Sequence, residues 1–311
     1  MTNINKIKGA LYGVAIGDAL GGPLEFMSAE EIRFRYRMVR DMIGGGWLDL
    51  EPGETTDDTQ MTIDVARGIV ELPQNPVEAI GMRFVRWLLS GPKDVGSTCA
   101  DSIRGAMSLS TRPFRPSANE WALASYSTHK HTGGKTAGNG GLMRTVYAGL
   151  YYKTISEIAL HAKEIARMTH FDPSAADDCA TYSIMVHNLI NCDREIDYRR
   201  AIIPTTIKTY FDSGMRYNCK ALADNTFRPK PSGYIVDSFA AALHCIFTTD
   251  TFEDALIKAV NLGGDADTIG AICGGIAGAL YGFDSIPERW TTALSPESAR
   301  EFDALAKIAA G

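Results

Sequence analysis

No Cys-x-x-Cys pair occurs anywhere in this chain of 311 residues. Its six cysteines stand singly, at Cys99, Cys179, Cys192, Cys219, Cys245 and Cys273. That pattern excludes the common zinc-knuckle spacings and supplies no disulfide framework, so a reducing cytoplasm suits it. A basic excess is missing too. The formal net charge is −6 and Lys and Arg are scattered, leaving no electrostatic footprint for nucleic acid or an anionic membrane. The densest basic group, Arg33-Phe34-Arg35-Tyr36-Arg37, reads as one charged face of a helix. The opening Met1-Thr2-Asn3-Ile4-Asn5-Lys6 lacks the apolar stretch of a signal peptide. The longest charge-free apolar run, Ile269 to Phe283, stops at Asp284, short of the roughly 18 residues that span a bilayer. Nothing resembles an interdomain linker, a low-complexity tract or a solenoid repeat, so one domain over residues 1–311 is the economical expectation.

Alternating apolar and polar residues of the kind that make strands are also scarce, whereas helical signals dominate; the expected fold is all-α, with roughly a dozen helices. Ser28-x-x-Glu31, Thr154-x-x-Glu157 and Asp250-x-x-Glu253 have the form of capping boxes, and Ser295-Pro296 opens the last helix with a cap and a first-turn proline. The stretches Thr111-Arg112-Pro113-Phe114-Arg115-Pro116 and Phe227 to Gly233 read as surface connections. Two segments carry glycine every fourth residue: Gly9, Gly13, Gly17 and Gly21, then Gly270, Gly274, Gly278 and Gly282. A helical glycine costs about 1 kcal/mol against alanine, so each series needs a reason. Residues i and i+4 share one side of a helix, so each series forms a smooth stripe that another backbone can approach, and both helices are expected to be central.

What the chain does have is two short acidic clusters far apart in sequence, Thr56-Asp57-Asp58-Thr59 and Asp265-Ala266-Asp267-Thr268. Each runs straight into an apolar segment. Adjacent buried carboxylates repel, and a hard divalent cation held by carboxylate and hydroxyl oxygens offsets that repulsion. Brought together, the clusters offer four Asp and up to three Thr, enough for two cations. The plainer reading of either cluster alone is an Asp/Thr cap on a helix N-terminus. The pair, with the Gly263-Gly264 lead-in, favours the cation site.

Five segments in order carry a family resemblance: Gly9 to Phe26, Thr55 to Met61, Gly138-Asn139-Gly140-Gly141-Leu142-Met143-Arg144, Thr169-His170, and Asn261 to Gly270. Over residues 7 to about 290 the chain resembles the ADP-ribosylglycohydrolases, close to the arginine-directed, dinitrogenase-reductase-activating branch. The resemblance implies an all-α fold, a centre of two Mg²⁺ or Mn²⁺ ions, and hydrolysis that releases ADP-ribose from a modified side chain of a protein substrate; the charge pattern adds the expectation of no nucleic-acid partner.

Carried over by position, the resemblance makes Thr56, Asp57, Asp58, Asp265, Asp267 and Thr268 metal ligands and sets Glu25 beside the metals. Gly138, Asn139, Gly140 and Gly141, with Met143, resemble the turn that contacts ADP-ribose. Backbone N–H groups there suit a diphosphate, and the Asn139 amide suits a ribose hydroxyl. His170 falls near the pyrophosphate or distal ribose, and Tyr234 near the ligand. Plainer readings stand beside these: a helix lead-in for the glycine turn, a satisfied helix-end histidine for His170, a core aromatic for Tyr234. His129 and His131 read as surface residues of a polar loop. Ser90 to Ser97 resembles the element that faces the leaving group, so Asp94, with Gly96 and Ser97, would hold a guanidinium; the alternative is that Asp94 caps the next helix. Ser97 stands where that branch usually has Asn, and Tyr147 where many relatives have proline.

The implied reaction is cleavage of the N-glycosidic bond at ribose C1″ of ADP-ribosyl-arginine, through an oxocarbenium-like transition state. Glu25, Asp58 or another cluster carboxylate would be the general base, and Asp94 would position the guanidinium. The alternatives are serine-linked or other ADP-ribose conjugates, and a catalytically inactive ADP-ribose-binding or structural relative. Retention of Glu25, Asp57, Asp58, Asp265 and Asp267 favours an enzyme.

Overall fold

The computed structural model describes residues 3–112, 114–192, 201–209 and 216–311. Met1, Thr2 and Pro113, named above, lie outside them. The described residues form helices and contain no strand. In chain order the helices are α1 (Asn3–Gly21), α2 (Ala29–Tyr36), α3 (Asp57–Glu71), α4 (Pro76–Leu89), α5 (Ser97–Leu109), α6 (Ala118–His131), α7 (Val146–Tyr151) and α8 (Ile155–Arg167). Then come α9 (Pro173–Ile190), α10 (Ile202–Thr209), α11 (Cys219–Leu222), α12 (Ile235–Phe247), α13 (Phe252–Val260), α14 (Ala266–Tyr281), α15 (Glu288–Ala293) and α16 (Pro296–Ala310). Among the described residues, no helix is long and apolar enough to cross a membrane.

The two glycine stripes face each other. A Cβ built on Gly9, Gly13 or Gly17 would come closer than 3.0 Å to the carbonyl oxygen of Gly278, Gly274 or Gly270 respectively, and one on Gly21 would meet the Ala266 carbonyl. Those pairings run in opposite directions along the two helices, so α1 and α14 form an antiparallel pair in backbone contact. Nearly every residue of both is buried. This explains helices apolar on all sides: neither is an amphipathic surface element. α9, α12, α13 and α16 pack around the pair.

Local signals set many of the helix starts. Ser28/Glu31 and Thr154/Glu157 are full capping boxes, and Ser295 accepts from the Ser298 N–H. Ser117/Glu120 is another, visible in the sequence by the same spacing. The third expected box lies one residue later than anticipated. Thr251, not Asp250, caps α13, accepting from Asp254 N; the hydroxyl at 251 can reach the first-turn amide while its backbone stays extended. The Arg33–Arg37 run is also not one face. Arg33 and Arg35 are about 200° apart around α2, Arg37 lies beyond its end with φ +61°, and Ile32 is its one buried residue. His129 and His131 occupy the last turn of α6, not a loop.

Candidate active site

The antiparallel pair places the C-terminal end of α1 beside the N-terminal end of α14, and the acidic residues gather there. α14 is reached through Gly263 and Gly264, both left-handed at φ +73° and +64°. A side chain at Gly264 would strike the Pro231 carbonyl, so glycine is required twice over. The same turn is laced to the segment after α1: Phe26 N donates to Gly264 O at 2.7 Å, and Gly264 N to Met27 O at 2.7 Å. Glu25 is thereby fixed next to the second cluster.

Neither cluster spends a carboxylate on capping its own helix in the usual way. Thr56, at the N-cap of α3, makes no side-chain cap bond, and neither does Asp265 at the N-cap of α14. Asp18 of α1 serves α3 instead. Its fully buried carboxylate accepts from the backbone N–H groups of Thr56 and Thr59 (3.0 and 3.1 Å) and from both hydroxyls (2.9 and 2.5 Å). A cap borrowed from another helix leaves Asp57 and Asp58 free of that duty. Asp18 was not singled out in the sequence as a site residue. Its signal was there, the single acidic residue of a long, mostly apolar helix.

The carboxylates converge. Oxygens of Glu25, Asp94 and Asp267 all lie within 4.8 Å of one another, as donors to a single cation must. Asp57, Asp58 and Asp267 are buried. Thr268 Oγ1 donates to Asp58 Oδ2 at 3.1 Å, joining the two clusters directly. Asp58 Oδ1 is buried with no hydrogen-bond partner among the described residues. A buried, unsatisfied carboxylate oxygen is costly, and a hard cation is the chemistry that satisfies it. The site thus fits a divalent cation by donor type and by this orphaned atom.

The crowding shows in the acidities. Asp57 is pushed well above the carboxylate range by burial first, then by Asp94, Asp18, Glu25 and Asp265. Asp58 is raised by burial, Asp18, Asp57 and Asp265, and Asp267 by burial, Asp265, Asp58 and Glu25. Burial raises Asp18 to about 6 despite the Thr56 and Thr59 hydrogen bonds. Burial raises Glu25 to about 8; the indole N–H of Trp47, donating to Glu25 Oε2 at 2.6 Å, works against this, and Asp94, Asp265 and Asp18 add to it.

These groups face a cavity of about 510 Å³, within the range of small-molecule sites. Glu25, Asp57, Asp265, Asp267 and Thr268 line one part of it. Asp94, Gly96, Ser97, Gly138, Asn139, Gly140, Met143 and His170 line the rest. Thr56, Asp58 and Gly141 lie behind this lining, buried. Asp94 does not cap α5, whose N-cap is Gly96. Asn139 gives its amide hydrogens to Ser238 Oγ and Asp265 Oδ2, both at 2.9 Å, and so holds Asp265 in place. Tyr234 pairs with Gly138 through its backbone, and its side chain is half exposed. Phe26 and Trp47 stand at the mouth as an exposed aromatic pair, ring centroids 5.5 Å apart. Both escaped the sequence reading, although Trp47 follows three glycines and Phe26 takes φ +63°. A larger groove of about 690 Å³ runs between α3, α4 and α16; two of its arginines are engaged in ion pairs, Arg67 with Glu301 and Arg83 with Glu71.

An all-α scaffold that drives carboxylates from four chain segments into one cavity, and leaves them uncapped, defines a protein with an acidic, cation-ready catalytic pocket. The chain belongs to the ADP-ribosylglycohydrolase family, whose model matches residues 1–311. It is 37% identical to the ADP-ribosyl-[dinitrogen reductase] glycohydrolase of Rhodospirillum rubrum, over 98% of this chain and 97% of that one. It is 31% identical to the ADP-ribosylarginine hydrolase Tri1 of Serratia proteamaculans, over 94% of this chain and 76% of that one. A solved structure described as an ADP-ribosylglycohydrolase-related protein complex superposes with a TM-score of 0.77 at 26% identity, covering 99% of each chain.

Proposed function

We propose that this protein hydrolyses the N-glycosidic bond of ADP-ribosyl-arginine on a protein substrate, releasing ADP-ribose, with two Mg²⁺ or Mn²⁺ ions held by Asp57, Asp58, Asp265 and Asp267 and the hydroxyls of Thr56 and Thr268. One observation carries the reading. Glu25, Asp57, Asp94, Asp265 and Asp267 share a cavity that no Lys or Arg lines among the described residues. When bound, divalent cations would supply the missing positive charge, orient ribose hydroxyls and acidify a water.

The chain's own residues do the rest. Glu25, whose pKa is raised to about 8, takes the proton of the attacking water. Asp94, at the same mouth, receives the guanidinium that leaves, and its carboxylate matches that planar fork bidentately. The glycine turn Gly138–Gly141 lies where backbone can approach a diphosphate closely. The names of the two relatives, one a dinitrogen reductase glycohydrolase and one an arginine hydrolase, favour arginine over serine as the linkage. The protein would act as a single unit over residues 1–311, in the cytoplasm, where its free cysteines stay reduced. The test is release of ADP-ribose from arginine- and serine-linked peptides with Mg²⁺, with Mn²⁺ and in chelator. Metal-dependent release from the arginine peptide is expected; activity that survives chelation, or confined to serine, overturns the reading.

A further inference from the structure

Behind the glycine turn lies a fully buried arginine with no carboxylate partner. Arg144 is 0% exposed and forms no ion pair among the described residues. Its guanidinium donates from Nη2 to Thr169 Oγ1 at 2.7 Å and to the Ile165 carbonyl at 3.2 Å. Nη1 turns toward the sulfurs of Met61 and Cys99, and the whole group lies over the Phe84 ring, 4.8 Å from its centroid. An unpaired buried cation is expensive, so this arrangement calls for a purpose beyond packing.

The hydrogen count along the chain of contacts supplies one. Thr169 Oγ1 lies 2.8 Å from His170 Nδ1. It carries one hydrogen, and it already accepts from Arg144, which has no lone pair to receive anything back. Its second lone pair faces the Cys99 thiol, which donates to it at 3.9 Å. The Thr169 hydrogen therefore goes to Nδ1, which must be bare, and the ring proton sits on Nε2. That nitrogen makes no hydrogen bond among the described residues. It lies at the cavity wall beside the glycine turn: a Cβ on Gly138 would stand 3.1 Å from it.

We propose that Arg144 and Thr169 are positioning residues that lock His170 in its Nε2–H tautomer, making it a neutral hydrogen-bond donor aimed at an anionic oxygen, of the diphosphate class, in the cavity. Burial, reinforced by the Arg144 charge, lowers the His170 pKa to about 3, in keeping with a ring that stays neutral at working pH. The locked tautomer prevents the ring from offering a lone pair to the ligand, which a phosphate would repel. The assignment of the ligand rests on the function proposed above; the tautomer does not.

The experiment is ¹⁵N–¹H correlation of the histidine rings in the full-length protein, with His170 assigned by its loss in His170→Asn. The expected spectrum shows a pyrrole-like Nε2 and a pyridine-like Nδ1 for His170 near neutral pH, with Nε2 shifting when ADP-ribose is added. Thr169→Val should lose the tautomer lock and weaken ADP-ribose affinity about tenfold, the scale of one hydrogen bond to a charged group; Thr169→Ser should restore both. An Nδ1-protonated ring in the wild type overturns the proposal, as does a Thr169→Val protein with unchanged ring signals and affinity. If the valine variant fails to fold, the wild-type spectrum decides alone. A correct tautomer with no response to ADP-ribose, but a response to inorganic diphosphate, keeps the relay and sinks the ADP-ribose reading instead.

Discussion

Along the seam between α1 and α14 the chain has stripped away side chains so that two backbones can touch; at the end of the same helix pair it has collected carboxylates that repel one another. The seam is stable because nothing intrudes: Gly13 faces the Gly274 carbonyl with no room for a methyl group. The cavity is strained because too much of one charge is present, and the folded state tolerates it by raising the pKa of Asp57, Asp58 and Asp267. The first region holds the second in place. The difference shows that conserving the fold and conserving the chemistry ask opposite things of a substitution: the seam loses stability when atoms are added, whereas the cavity gains stability when charge is removed.

The largest expected effect follows from that contrast. Asp57→Asn or Asp267→Asn should reduce ADP-ribose release by about 10³-fold or more, several kcal/mol of lost transition-state stabilisation, while the chelator-treated variant melts at a higher temperature than the chelator-treated wild type. Initial rates and thermal melts on the same preparations check both halves; a variant that is both inactive and less stable would make these residues structural. Next in size, Gly13→Ala or Gly274→Ala should destabilise by about 1–3 kcal/mol, the cost of overpacking a tight interface, and lower activity only in proportion to the folded fraction in a denaturant titration. Asp94→Ala should cut arginine-linked turnover about 10²-fold, the scale of a lost positioning contact, with ADP-ribose affinity and melting temperature nearly unchanged.

The smallest expected effect is a pH dependence, and its sign separates the two regions again. Asp18 and Glu25 have folded-state pKa values of about 6 and about 8, above the ordinary 3.8 and 4.5. Between the ordinary and the raised values the folded protein binds protons that the unfolded chain does not, so stability falls as pH rises through that window. The buried neutral His170 works the other way below pH 6.5, so the comparison is made above it: the metal-free protein should melt higher at pH 6.5 than at pH 8. Adding Mg²⁺ or Mn²⁺ should narrow the gap, because the cation favours the ionised carboxylates. A chelated protein whose melting point climbs from pH 6.5 to pH 8 would mean the carboxylates are compensated by something other than a cation.

Much of this was legible in the sequence because it is periodic or local. The glycine stripes declare their spacing, the clusters sit in four consecutive residues each, and the Ser28 and Thr154 boxes need only a three-residue offset. What was illegible depends on pairs far apart in the chain. Asp18 earns its role through Thr56 and Thr59, Trp47 through Glu25, and Arg144 through Thr169; no local pattern joins those partners. The Thr251 cap shows a subtler limit, since Asp250 and Thr251 are both good cap residues and the backbone conformation chooses between them. Asn139 shows another: its side chain suits a ribose hydroxyl by type, yet its amide hydrogens are engaged by Ser238 and Asp265.

The central claim, that the carboxylate cluster is built to be neutralised by divalent cations, is tested most directly by thermal melts of the wild type and Asp267→Asn at pH 7.5 with and without millimolar Mn²⁺ or Mg²⁺. Binding to the folded state alone raises the melting temperature. The account predicts a clear rise with metal for the wild type, and for the variant a higher starting point with little further gain. A wild type indifferent to either metal, or a variant that responds as strongly as the wild type, would contradict it.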